Sequence, residues 1–203
     1  MSTPTRPISS ARAEHQHRMA LAKKHRSRLR AVVIAAGALV AGLLVTLALL
    51  QGAPTSSTST DAAPVFTLPS TSGQSVSLEQ FRGHPVVLYF NEGAGCGSCT
   101  VQMAQIEQDP AVKAAGVTVL PIVMNSKDQI LPDLHQYGVT TPYLLDDGTV
   151  SQAYGVLGTG MHAGLPGHSF VLVDKDGIKK WTGSYPSMWL APADLLKEVK
   201  QRL

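Results

Sequence analysis

Apolar residues fall into three regimes along this chain. Residues 1–30 hold few of them and show no period, so this stretch cannot bury a core and is expected to be unstructured. Ala31 to Leu50 (AVVIAAGALVAGLLVTLALL) is an unbroken apolar run with no charge, and its only polar side chain is Thr46. Twenty residues of helix span about 30 Å, the thickness of a bilayer's hydrocarbon region. A buried core helix is the other reading of such a run, and uninterrupted apolar character on every face makes the membrane span the stronger one. A cleaved signal peptide is the stronger rival. It is opposed by the long basic lead, an apolar run beyond the usual roughly 7–15 residues, and the lack of a convincing small-x-small site directly after it. No cysteine follows the run, which excludes a lipoprotein anchor. Residues 51–63 (QGAPTSSTSTDAA) lose periodicity again and are expected to form a flexible tether with a reach of about 20 Å.

From residue 64 onward the pattern becomes that of a folded domain. Val65-Phe66-Thr67-Leu68 predicts a short strand that turns at Gly73-Gln74 into the alternating Ser75-Val76-Ser77-Leu78, an edge hairpin. Glu79 to Gly83 predicts a single helical turn. Pro85 to Phe90 is continuously apolar, as in a parallel strand buried on both faces. Thr100 to Gln108 has helical spacing, stopped by Asp109-Pro110, and Val117 to Met124 is a second buried strand. Strand, helix, strand at this spacing is a βαβ unit with a right-handed crossover. Pro121 within the second strand implies a bulge or an exposed strand end. Lys127 to Gln136 predicts a helix kinked or restarted at Pro132, Pro142 to Leu145 a strand, and Val150 to Tyr154 a short helix after the Asp147-Gly148 turn. Ser169 to Val173 and Ile178 to Thr182 flank Asp174-Lys175-Asp176-Gly177, a strong hairpin signal. Pro192 and Asp194 open a closing helix to Arg202, with Leu195, Leu196 and Val199 as its apolar stripe. No internal repeat is present. The order implies an α/β fold: a mixed sheet with helices on both faces.

Charge sharpens the division. The formal net charge of +3 is an average over unlike parts. Residues 1–30 carry eight Lys/Arg against one Glu, and residues 64–203 carry nine against twelve acidic groups. The folded part is mildly acidic and lacks the cationic footprint that nucleic-acid binding needs. No Lys or Arg lies between Gln51 and Phe81, so the positive-inside rule places residues 1–30 in the cytoplasm and residues 51–203 outside it. The expected organisation is a basic cytoplasmic tail (1–30), a single transmembrane helix (31–50), a tether (51–63) and one extracytoplasmic domain (64–203) at the cell membrane. His15, His17 and His25 are read as solvated tail residues.

The 203 residues hold two cysteines, Cys96 and Cys99, three apart in Gly95-Cys96-Gly97-Ser98-Cys99. Such a pair can close as a disulfide, hold a soft metal, or be coincidental, and two cysteines make no disulfide framework. The pair lies just past an apolar strand, at the start of a helix, where open α/β sheets place their chemistry. A free thiol near pKa 8.5 supplies little thiolate at neutral pH. Helix N-terminal amides and the helix dipole favour the anion and can bring it to roughly 3.5–7.5. Cys96 sits at that terminus and is expected to be the exposed nucleophile, with Cys99, one turn in, as the resolving thiol. No cofactor is expected.

Pro64 to Leu68, Ser77 to Gly83, Val86 to Phe90, the Cys96-Gly97-Ser98-Cys99 motif, Asp146 to Val156 and Phe170 to Gly177 together resemble the thioredoxin-like redoxin family. That family includes alkyl hydroperoxide reductase/thiol-specific antioxidant proteins and membrane-tethered TlpA-type thiol–disulfide oxidoreductases. The resemblance covers essentially all of residues 64–203. It implies a thioredoxin-like mixed sheet and a dithiol acting on exported protein disulfides or thiols, with a second redox partner. Three departures stand out. Gly93-Ala94-Gly95 replaces the tryptophan common before the first cysteine. The peroxidatic pattern P-x-x-x-[ST]-x-x-C fails, because Tyr89 and Gly93 precede Cys96 at its key positions, and Glu92 and Cys96 precede Cys99. Gly167 stands where such proteins carry a cis-proline. Pro166, one residue earlier, takes that place if the loop is one residue longer, with its isomer left open.

By the same resemblance, His168 lies in a loop facing the cysteines, where it could stabilise the Cys96 thiolate or shuttle its proton. Glu92 is either a proton acceptor or, as its turn position favours, a solvated residue. Asn91 and Ser98 are read as backbone caps, His84 and His135 as surface residues, and Trp181, Tyr185 and Trp189 as core or rim packing. Two alternatives remain: a thiol peroxidase, and a copper chaperone or sensor on the same fold. In the latter, Cys96, Cys99 and His168, with His162 or Met161, would hold Cu(I).

Overall fold

The computed structural model describes residues 8–160 and 162–203. The elements are α1 (Ile8–Gln51), β1 (Thr55–Thr58), β2 (Thr67–Pro69), β3 (Ser75–Ser77), a 3-10 turn (Leu78–Phe81), β4 (Val86–Phe90), α2 (Gly97–Gln108), α3 (Pro110–Ala115), β5 (Thr118–Val123), α4 (Lys127–Tyr137), β6 (Leu144–Leu145), α5 (Thr149–Ala153), β7 (Ser169–Val173), β8 (Lys179–Ser184) and α6 (Pro192–Arg202). The chain divides into two compact units, Met1–Gln51 and Gly52–Leu203.

In the first unit, the stretch from Arg28 to Leu50 is long and apolar enough to cross a membrane. The residues ahead of it are helical from Ile8 onward, not unstructured as their polarity implied. No Gly or Pro interrupts residues 8–36, and Ala, Arg, Lys, Glu, Gln and Leu are good helix formers. Extending an existing helix costs far less than starting one.

In the second unit, six strands form a mixed sheet in the order β1-β8-β7-β4-β5-β6. β4 pairs parallel with β5 and antiparallel with β7, and β5 pairs parallel with β6. All five residues of β4 and of β7 are buried, as strands covered on both faces must be. Alternation sends Val87, Tyr89, Phe170 and Leu172 to one face, where residues of α2, α4 and α6 cover them. Val86, Leu88, Phe90, Val171 and Val173 face the other side, under Phe66, Leu68, Val150 and Tyr154. The expected hairpin of β2 and β3 forms a separate two-stranded sheet.

Four details differ from the sequence-based expectation. Residues 55–58, expected to lie in a flexible tether, pair antiparallel with β8, and Ala62 bridges Ile178. β8 offered an open edge, and Thr and Ser tolerate the extended backbone that satisfies it. Asp109-Pro110 ends α2 but also begins α3, because the Asp109 carboxylate accepts from the amides of Ala111 and Val112. Proline fits the first helical turn, where no amide bond is lost. Pro121 is neither bulged nor exposed: it is buried and in register with Tyr89. The carbonyl of Ile122 accepts from Asn91 on the β4 side. By alternation, the prolyl nitrogen faces away from β4, where β6 pairs only with Ile122 and Val123. Finally, α4 runs through Pro132. The carbonyl deprived of its partner belongs to Asp128, an exposed residue that water can serve.

Candidate functional site

Cys96 and Cys99 are joined as a disulfide, their Cα atoms 5.3 Å apart. Cys96 occupies the N-cap position of α2, and its carbonyl accepts from the amides of Cys99 and Thr100. The first amides of a helix have no acceptor within it, so those of Gly97 and Ser98 stand at the sulfur end of the helix dipole. Cys96 is half-buried, whereas Cys99 is 0% exposed. That asymmetry was expected from their places on the helix.

The turn that delivers Cys96 is held by side-chain oxygens from just past the end of β4, the β5–α4 loop and α4. Asn91 Oδ1 accepts from the Gly93 amide at 3.0 Å, Asn125 Oδ1 from Ala94 at 2.8 Å, and Asp133 Oδ2 from Gly95 at 2.9 Å. The Cys96 amide then donates to the Gly93 carbonyl at 3.0 Å. Gly93 and Gly95 both have positive φ, +76° and +88°, which glycine adopts without a Cβ penalty. Asn91 caps the backbone as expected. Asn125 and Asp133 were missed, because nothing local marks a residue that closes a turn 31 or 38 positions away.

Beneath the disulfide lies a second group of side chains. His168 is 2% exposed, with Nδ1 3.7 Å from Cys99 Sγ. It was expected to serve Cys96, but it lies against the buried partner instead. Tyr89 Oη donates to the Cys99 carbonyl at 3.0 Å and lies 3.2 Å from His168 Nδ1. Phe170 stacks on Tyr89, with ring centroids 4.5 Å apart, and meets His168 edge-on. Burial lowers the His168 pKa to about 4 and raises that of Tyr89, so both are neutral near pH 7. Tyr89 was read only as an apolar strand residue. Its hydroxyl at a buried position of β4 was the signal that it needs a polar partner.

Glu92 is 3% exposed, not solvated, and its Oε2 lies 2.8 Å from Nδ1 of the largely exposed His162. The loop packs tightly over it, since a Cβ on Gly160 would come within 2.6 Å of Glu92 Oε1. Pro166 is buried and pairs with Leu157, and no cis peptide occurs among the described residues. Trp181 is core, Tyr185 packs against that core, and Trp189 is partly exposed. Among the described residues, no group of three or more His, Cys, Asp or Glu side chains is arranged to hold a metal ion. Met161 and the His25 side chain lie outside the described residues.

His168 gives the fold a pH dependence. The unfolded imidazole takes a proton near pH 6.5 and the folded one near 4, so acid favours the unfolded chain across that window. Stability should therefore rise with pH from about 4 to 6.5, by about 3 kcal/mol from this group alone. Melting temperatures across that range should show the gain in the wild type and a flatter profile in His168→Gln. Equal profiles would contradict it.

A cysteine pair at the carboxyl end of the central parallel strand, opening a helix on a sheet of this order, defines a thioredoxin-like redoxin. Residues 60–181 match the AhpC/TSA family, and the chain belongs to it. Peroxiredoxin Bcp of Escherichia coli (strain K12) is 32% identical over 124 residues, covering 58% of this chain and 79% of the relative. The crystal structure of Peroxidoxin BcpB from Mycobacterium tuberculosis superposes with a TM-score of 0.57 at 23% identity, covering 70% of this chain and 94% of that one. The thioredoxin domain of a thiol-disulfide oxidoreductase from Bacteroides vulgatus gives 0.54 at 23% identity, covering 70% and 96%. These two structural likenesses speak for the fold alone.

Proposed function

We propose that this protein is a membrane-anchored, extracytoplasmic thiol–disulfide oxidoreductase acting on exported proteins, with Cys96 as nucleophile and Cys99 as resolving thiol. The observation that carries this reading is the difference in exposure within the pair. Cys96 is accessible at the helix N-terminus, and Cys99 is sealed beneath it. In the dithiol form, the Cys96 thiolate attacks a substrate disulfide, forming a mixed disulfide and releasing one substrate thiol. Cys99 then attacks Cys96 Sγ, closes the Cys96–Cys99 disulfide and releases the second substrate thiol. Two electrons pass from the protein to the substrate, and the same steps in reverse oxidise a substrate dithiol. A second dithiol or disulfide protein returns the pair to its starting state. The apolar Arg28–Leu50 stretch and the excess of Lys/Arg before it support the anchor and its orientation.

The test is to trap the intermediate. Cys99→Ser should accumulate mixed disulfides through Cys96, visible on non-reducing gels and cleared by reductant. Failure to trap any partner from the cell envelope would sink the assignment.

The 32% identity to a protein named a peroxiredoxin supports a second reading, peroxide reduction. Tyr89 and Gly93, at the positions of the peroxidatic proline and hydroxyl, oppose it. Rapid mixing of the reduced protein with a disulfide-bonded protein and, separately, with hydroperoxide distinguishes the two by their rates.

A further inference from the structure

Cys99 has a difficulty that its partner lacks. Its sulfur is sealed from water, and the helix dipole fades within the first turn. An apolar setting holds a thiol protonated, yet resolution requires a thiolate. The side chains that meet the His168 ring beside it are Tyr89 from β4, Cys99 from α2 and Phe170 from β7, the strand that begins at the next residue. Tyr185, beyond β8, donates its amide to the His168 carbonyl. Burial is the cause of the lowered His168 pKa.

The hydrogen-bond inventory selects a tautomer. Tyr89 has one hydroxyl proton, and it is committed to the Cys99 carbonyl at 3.0 Å. Towards His168 Nδ1, 3.2 Å away, the phenol oxygen can then only accept. The disulfide sulfur 3.7 Å from Nδ1 carries no proton either. In the oxidised protein this inventory favours a proton on Nδ1, the ring nitrogen nearer the phenol oxygen and the one beside the sulfur, with Nε2 3.5 Å from the same oxygen.

We propose that His168 is the proton carrier for Cys99: Nδ1 takes the thiol proton as Cys99 closes the disulfide and returns it to that sulfur when the disulfide opens, with Tyr89 as the positioning residue that holds the ring. In the closing step the Cys99 S–H bond breaks, the Cys99–Cys96 S–S bond forms, and the bond from Cys96 to the substrate sulfur breaks. The substrate sulfur leaves with the electron pair and is reduced, while the cysteines are oxidised. The proton passes to His168 and then, through solvent, to the departing thiolate. The ring is neutral near pH 7, so Nδ1, 3.7 Å from the sulfur, is free to accept the proton down to mild acid, and its lowered pKa makes it a weaker base than an ordinary histidine. The proposal rests on the reading of Cys96 as nucleophile.

The full-length reduced chain in detergent, mixed rapidly with dithiobis-nitrobenzoate, separates the two steps. Attack by Cys96 releases one coloured thiolate, and closure by Cys99 releases a second. His168→Gln should leave the first phase unchanged and slow the second about 100-fold at neutral pH. Wild-type closure should stay fast into mild acid, whereas closure in the variant should fall about tenfold per pH unit below the thiol pKa. Tyr89→Phe, which keeps the ring packing, should slow only the second phase, by up to about tenfold. Wild-type closure rate and pH profile in His168→Gln would overturn the proposal. Equal slowing of both phases would overturn it too, as the mark of general distortion. If Cys96→Ser still shows the first phase, the exchange reading itself fails, a separate outcome from either.

Discussion

Cys96→Ser should reduce thiol–disulfide exchange by about a thousandfold or more, the scale on which loss of a nucleophile removes covalent catalysis. A serine hydroxyl is scarcely ionised at neutral pH and cannot form a disulfide, so neither the first attack nor the closing step has a substitute. The remaining thiol, Cys99, is 0% exposed and cannot take over. The fold should survive, because Cys96 lies at a helix cap, a position that serine suits. A disulfide-bonded protein substrate, followed by the appearance of its free thiols, provides the measurement. Wild-type turnover in Cys96→Ser would remove Cys96 from the mechanism.

The second large effect is expected at a residue with no side chain. Gly93→Ala should destabilise the domain by about 2–4 kcal/mol, from backbone strain at positive φ plus the loss of a partly buried hydrogen bond. A Cβ there would land on Asn125 Oδ1 and press on Val123 Cβ at 3.1 Å. Asn125 would have to move, leaving the Ala94 amide without its acceptor, and the turn that aims Cys96 would shift. Gly95→Ala is the natural comparison. Its φ of +88° is just as unfavourable, but a Cβ would meet open space, so only about 1 kcal/mol of strain is expected. Denaturant titration of the two variants, with alkylation rates at Cys96, measures both effects. Similar losses in both would mean that the Asn125 contact contributes nothing.

The sheet was legible because β4, β5 and β7 must be buried on both faces, and continuous apolar runs are the direct expression of that need. β1 was not, because an all-exposed strand of Thr and Ser has no hydrophobic period. Only the open edge of β8 shows that those residues pair. The prolines misled for a related reason. Whether a missing amide matters at Pro121 or Pro132 depends on which way it faces, and that is decided by neighbouring strands and by solvent.

For the site, local sequence was enough to find the cysteine pair, its place at a helix N-terminus and the order of exposure within it. Those properties follow from an apolar strand that runs through a glycine-rich turn into a helix, with Cys96 at its start and Cys99 one turn in. What required the tertiary structure was every group that reaches the pair from elsewhere. His168 is 69 positions from Cys99, and the sequence offered no means of telling which sulfur it would meet. Tyr89 looked like one more apolar residue of β4, and Glu92 like a solvated turn residue. Chain periodicity reports burial and does not report contact. Which polar group lies against which sulfur is set by the pairing of β4 with β7 and by the packing of α2 on the face they share.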